Sequence, residues 1–354
     1  MKQAHFAVLP TPALVALTLS LVATAFAATA TLLTFESALT QAMAKAPDIL
    51  SARSALTQSQ ADLAAAQADP TTLIAALTSA QNTVNLNKVN LESAKITVFS
   101  NLLTAYINLY EAQQNQDVLR SSLNLNQKNL DVAKAKLSTR TGTTLDVSKA
   151  QNTLASSQQS LTNATAQLPI LSDRLSPLLG LPTGQNLTVA EPPVITAKSI
   201  DLAALQAGLP AHLPSVLQVQ QSVDVAKLNV SLADNDYTPA ANLLSAQTAL
   251  ASAQRSLQTV LTNAATTLRD AYRAHQAAQQ QQAVQRQARA NAEESMAQAQ
   301  ARLKAGQISR VDLQTAQVSA LQARHSELQA NDAVSESLAT LCSAAGQDLT
   351  GMVK

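Results

Sequence analysis

Few residues in this 354-residue chain could do chemistry, and two aspartates stand out by their setting. Asp146 lies in Leu145-Asp146-Val147, four residues after Gly142, and Asp312 lies in Val311-Asp312-Leu313, six after Gly306. A carboxylate just after a chain reversal can accept hydrogen bonds from the free N–H groups of a helix start and face its dipole favourably. Gly142 and Gly306 are expected to supply the positive φ that such a reversal needs. The other reactive side chains form no catalytic pattern. His5, His212, His275 and His325 share no metal-ligand spacing with one another, with Cys342 or with a carboxylate. No phosphate-cradling glycine loop or nucleophile elbow is present. The expectation is therefore a protein that is not an enzyme and needs no cofactor or metal. His275 and His325 read as polar residues between helices or toward solvent, and Cys342 as a small buried apolar residue.

The aspartates recur 166 residues apart, and so does much else. Ala105-Tyr106 matches Ala271-Tyr272, Ala112-Gln113-Gln114 matches Ala278-Gln279-Gln280, and Gly180 matches Gly346. A fixed register held over about 100 residues marks an internal duplication. Each copy carries apolar or small residues on alternating three- and four-residue steps. In the first copy these are Leu102, Tyr106, Leu109, Ala112, Leu119, Leu123, Leu130, Ala133 and Leu137, with Gln116 and Asn126 interrupting. The run resumes at Val147, Ala150, Leu154, Ser157, Leu161, Ala164, Leu168, Leu171, Leu175 and Leu178. This is the seam of long helices packed at shallow angles. Pro169 and Pro177 fall inside it and predict a kink or fraying.

Breakers set the element lengths. Asp69-Pro70 separates a helix over about residues 35–68 from one over 71–139, which spans ~100 Å at 1.5 Å per residue. The flanking helices, about 35–68 and 145–179, each span ~50 Å. Two half-length helices stacked end to end match one long helix beside them. The fold class is thus all-α, two tandem repeats of long antiparallel helical hairpins. Residues 31–182 form the first repeat, 183–199 an irregular linker carrying Gly184 and Pro192-Pro193, and 200–354 the second repeat.

Composition agrees. Glycine numbers only 7 and aromatics are 2%, too few for a large β-rich domain. With 24 Lys+Arg against 23 Asp+Glu, the net charge of +1 gives no reason to expect nucleic acid as a partner. Residues 1–30 read as a secretory signal peptide: Met1-Lys2, an apolar run from Ala13 to Ala23, then Ala25-Phe26-Ala27 and Ala28-Thr29-Ala30 as small-residue cleavage patterns. An exported protein of the cell envelope is expected.

Taken together, these motifs resemble the TolC-like outer-membrane factor family. The opening Leu33–Ala42 segment with Ala46-Pro47-Asp48-Ile49-Leu50 is similar to the family's helix start, with Ala46 where the family usually has Asn. The tip motif appears as Lys136-Leu137 through Gly142 to Leu145-Asp146-Val147, and again as Arg302-Leu303 through Gly306 to Val311-Asp312-Leu313. Leu178-Leu179-Gly180-Leu181-Pro182 resembles the family's closing motif. The resemblance implies a homotrimeric periplasmic tunnel, serving as the exit duct of a tripartite efflux pump or a type I secretion system. It implies as partners a periplasmic adaptor (membrane fusion) protein and an inner-membrane pump, with exported small molecules or proteins passing through. It places Gly142, Leu145, Val147, Gly306, Val311 and Leu313 at the adaptor-docking tips and Asp312, with Asp146, at the periplasmic aperture. Gate and helix cap both stay open for Asp312, and Thr315 stands where the family has a second acidic position. The chain departs from the family in one respect: the links after the first helix of each repeat are too short for the membrane-crossing strand pair, which needs ~25 residues. That departure leaves a second reading, a non-conducting spacer or adaptor rod.

Overall fold

The computed structural model describes residues 32–197 and 200–353. The signal peptide expected at residues 1–30 lies outside them.

Among the described residues eight α-helices follow one another in two matching sets: α1 (Phe35–Lys45), α2 (Pro47–Ala68), α3 (Ile74–Ser138) and α4 (Thr144–Leu175), then α5 (Leu202–His212), α6 (Pro214–Ala233), α7 (Ala240–Lys304) and α8 (Arg310–Ala345). The two long helices α3 and α7 have 65 residues each and start and end 166 positions apart. The helix expected over residues 35–68 is two helices. Pro47 has no N–H to continue the first and sits at the start of the second, where none is required. The same event recurs at Pro214 between α5 and α6. Of the kink or fraying expected at Pro169, the fraying does not occur. α4 runs through the proline to Leu175, because Ser172 and Leu175 beyond it are buried and hold the last turn. Pro177 instead opens a short 3-10 turn ending at Gly180 in the left-handed conformation.

The links between α2 and α3, and between α6 and α7, are tight turns. In the first, Asp69 Oδ1 accepts from the Thr71 amide at 2.8 Å and its hydroxyl at 2.7 Å. In the second, Asn235 Oδ1 accepts from the Tyr237 amide at 2.9 Å. Neither link holds a strand. Among the described residues the one β-type pairing is an isolated parallel bridge, Leu33 to Val189.

α3 is the central helix. It packs against α2 and α4 of its own copy and against α6 and α8 of the second, while α7 packs against α5, α6 and α8. The seam residues expected along α3 and α4 are all buried or half-buried. The polar interruptions pair across it: Gln116 donates to Thr165 Oγ1 at 3.2 Å and Asn126 to Ser157 Oγ at 2.6 Å. The densest core lies at the middle of α3, where α1, the linker and α8 converge on Phe99, Leu102, Leu103, Tyr106 and Leu109. Phe35 packs edge-on against both Phe99 and Tyr106. The Tyr106 hydroxyl donates to carbonyls on either side of the bridge, Leu33 at 2.7 Å and Ala190 at 2.8 Å. Gln113, two turns on, holds Leu187 O at 2.9 Å and Val189 N at 3.3 Å. These bonds satisfy a linker that has no ladder of its own.

Candidate functional site

The structure places the residues singled out above at one end of the two hairpins, in the reversals joining α3 to α4 and α7 to α8. Both reversals share one construction. Lys136 O accepts from the Thr141 and Gly142 amides, and Arg302 O, its counterpart, accepts from Gln307 N at 2.9 Å. Thr143 and Ser309 are the N-caps, hydroxyl residues that the sequence reading passed over although each precedes its aspartate by three. Asp146 N donates to Thr143 Oγ1 at 3.1 Å, and Asp146 Oδ2 accepts from the Thr143 amide at 2.9 Å and its hydroxyl at 2.8 Å. Asp312 and Ser309 repeat this reciprocal box at 3.2, 2.9 and 2.8 Å. These bonds hold both carboxyls below their ordinary pKa. Within one chain the two aspartates have the same role, and each keeps Oδ1 free of it.

One expectation about the tips is corrected. Gly306 has φ +71°, but Gly142 is not left-handed; in the first tip that conformation falls on Arg140, at φ +58°. Arg140 stands 166 residues before Gly306, so the backbone is repeated although the glycine is not. Gly142 is required for a different reason: a Cβ there would lie 2.9 Å from Lys136 Cβ. A non-glycine residue pays about 1–2 kcal/mol in the left-handed region, partly offset by the greater freedom of unfolded glycine. Arg140→Gly is therefore expected to raise stability by about 0.5–1 kcal/mol, read from the denaturant midpoint, and Gly306→Arg to lower it by a similar amount.

Around the tips, Leu145 is exposed, while Val147, Val311 and Leu313 are half-buried along the seams. Polar pairs fasten α7 to α8 above them. Arg289 donates to Glu327 Oε2 at 2.8 Å and to Glu293 at 2.8 Å, with Arg286 at 3.6 Å from the same buried Glu327. These carboxylates raise the Arg289 pKa further, so the guanidinium is a permanent charge. His275 is buried, 2.9 Å from Ser337 Oγ and 3.1 Å from Gln279 Nε2, and burial lowers its pKa. Gln282 donates to Asn331 at 2.8 Å, so two of the glutamines in the run 279–282 make specific polar contacts. No local motif marks Glu327 or Asp332: their partners come from other helices and are invisible to spacing.

The arrangement presents exposed tips and polar, low-charge helix faces, and Ser337, beside His275, spends its own hydroxyl proton on the Val334 carbonyl at 2.8 Å. Among the described residues no group of three or more His, Cys, Asp or Glu is placed to hold a metal, and no helix is long and apolar enough to cross a membrane. The fold is similar to that of the outer membrane protein VceC from Vibrio cholerae, at 17% identity and TM-score 0.63, covering 89% of this chain and 96% of that one. It is also similar to the outer-membrane channel OprN, at 15% identity and TM-score 0.65, covering 89% and 90%. The Campylobacter jejuni CmeC outer membrane channel gives 14% and 0.63, covering 88% and 85%. At these identities the likeness is one of fold. No curated protein matches the sequence. Residues 69–181 and 238–347, more than half of the chain and both of its long hairpins, match the outer membrane efflux protein family. The chain belongs to the outer membrane efflux protein family.

Proposed function

We propose that three copies of this chain close into a helical tunnel in the periplasm, the exit duct of a tripartite efflux pump or type I secretion system. One observation carries this. α3 and α7 are equivalent helices of equal length, yet α3 buries thirteen residues and α7 only Leu268, Ala271 and His275. The difference is neighbours: α3 has α4 and α8 on its two sides, whereas α7 has α8 on one side and, on the other, no counterpart of the α8 that flanks α3. α4 is equally bare, with Ser172 and Leu175 its only buried residues. If α7 of one copy meets α4 of the next as α8 meets α3 within the chain, every long helix gains the same surroundings and the ring closes.

The duplication gives a test. Glu111 on α3 contacts Asp332 on α8. Shifting each by 166 residues names Ala277 and Ala166, both exposed in the single chain. Ala277→Cys with Ala166→Cys should yield trimers held covalently by a short thiol cross-linker. The native Cys342 stays silent, being 1% exposed with its thiol pKa pushed up to about 11 by burial. Only intrachain products, or none, would count against the ring.

In this assembly the tips around Gly142, Leu145, Val147, Gly306, Val311 and Leu313 meet the adaptor, and three Asp312 carboxylates line the inner aperture. Because Asp146 makes the same box, Asp146→Asn is the control for Asp312→Asn. An aperture role predicts that only the latter changes transport or single-channel conductance; equal effects would reduce Asp312 to a cap. At the other end, Leu73 and Tyr237 are 75% and 97% exposed at the two tight turns. With no strands in these turns, the duct meets the outer membrane through this apolar end or through another subunit. The strandless links also favour the rival spacer rod, which needs no closed ring.

A further inference from the structure

Where α3 of the first copy crosses α8 of the second, two carboxyl groups face each other. Asp332 is 4% exposed, and its Oδ2 has no hydrogen-bond partner. Glu111, half-buried on α3, stands against it, with Gln329 on its other side. The charged and titratable groups around them are Tyr110 on α3, Glu191 on the linker, and Glu336 and Arg324 on α8. From α7, Arg286 and Arg289 are engaged by Glu327 and Glu293. Among the described residues no cation, Arg324 included, forms an ion pair with Asp332, and three of its neighbours are themselves acids. Two ionised carboxylates in contact and out of water repel each other and lose solvation. A single proton removes both costs and gives Oδ2 the partner it lacks. The equivalent positions in the other copy, Ala277 and Ala166, are apolar, so the pair belongs only to the junction between the copies.

We propose that Glu111 and Asp332 share one proton at neutral pH, and that this proton fastens the first repeat to the second, so that the junction loosens as the pH rises. Burial, with Glu111, Glu336 and Glu191 nearby, pushes the Asp332 pKa up to about 8 from 3.8, and that of Glu111 is raised by its own burial. The folded chain then binds more protons than the unfolded one between about pH 4 and about 8. Stability is highest at the acid side of that window and falls as pH rises through it. His275 and His325, whose pKa values burial lowers, act in the opposite sense as pH falls below their ordinary value of 6.5. The test must therefore compare variants.

Asp332→Asn keeps the shape and a donor without titrating. Tm measured from pH 5 to 8.5 on the protein spanning residues 31–354 should fall more steeply in wild type than in this variant. The difference should be on the order of 2 °C per pH unit below pH 8. Glu111→Gln carries the same comparison if Asp332→Asn does not fold. Parallel Tm curves for wild type and variant would overturn the proposal. So would calcium raising the wild-type Tm at pH 8 and leaving the variant unchanged, since the pair would then hold a cation.

Discussion

Tyr106→Ala is expected to destabilise the chain by about 3–5 kcal/mol, enough to unfold a marginal protein. Tyr106 is fully buried at the midpoint of α3, so truncation leaves a cavity between Phe35 and the linker. It also removes the donor that Leu33 and Ala190 share. Burial pushes the hydroxyl pKa up to about 12, so it donates at any working pH. Tyr106→Phe separates the two parts: it keeps the volume and should cost only about 1 kcal/mol, the worth of the hydrogen bonds. Denaturant unfolding followed by circular dichroism reads both. A near-neutral Tyr106→Ala would mean that the linker is not fastened here.

The second large effect is expected at Gly346, which ends α8 with φ +69°. A Cβ there would lie 2.4 Å from the His212 carbonyl oxygen and 2.7 Å from its carbon, both backbone atoms that cannot turn aside. Gly346→Ala therefore combines the left-handed penalty with a clash that separates α8 from the end of α5, and should cost about 3 kcal/mol or more. Gly180 is its counterpart in the first copy, but the nearest atom to a Cβ there is Lys45 Cδ at 3.0 Å, the flexible part of a side chain. Gly180→Ala should cost about 1–2 kcal/mol. Equal costs at the two sites would show that the α5–α8 contact is not as tight as described.

The architecture was legible because it is periodic. Heptad steps, the Asp69-Pro70 break and a fixed 166-residue offset name the long helices, and α3 begins and ends within three residues of the reading. What escaped is what periodicity does not encode. Fraying at Pro169 is a local expectation, whereas the burial of Ser172 and Leu175 keeps the helix formed beyond it. Gly142 was read as the left-handed residue because glycine is the usual occupant; the offset from Gly306 pointed to Arg140, a residue type that composition would not suggest. The capping boxes could have been found, since Thr143 and Ser309 stand three residues before their aspartates. The Arg289–Glu327 and Glu111–Asp332 pairs could not, because each joins different helices, 38 residues apart in one case and in different repeats in the other.

The bare flanks of α4 and α7 make the closed ring the central claim, and the mass of the protein spanning residues 31–354 in solution tests it most directly. Multi-angle light scattering should give three times the protomer mass, independent of concentration over the micromolar range. A monomer at every concentration would contradict the duct, leaving α7 exposed along its length and the family's hairpins serving as a rod.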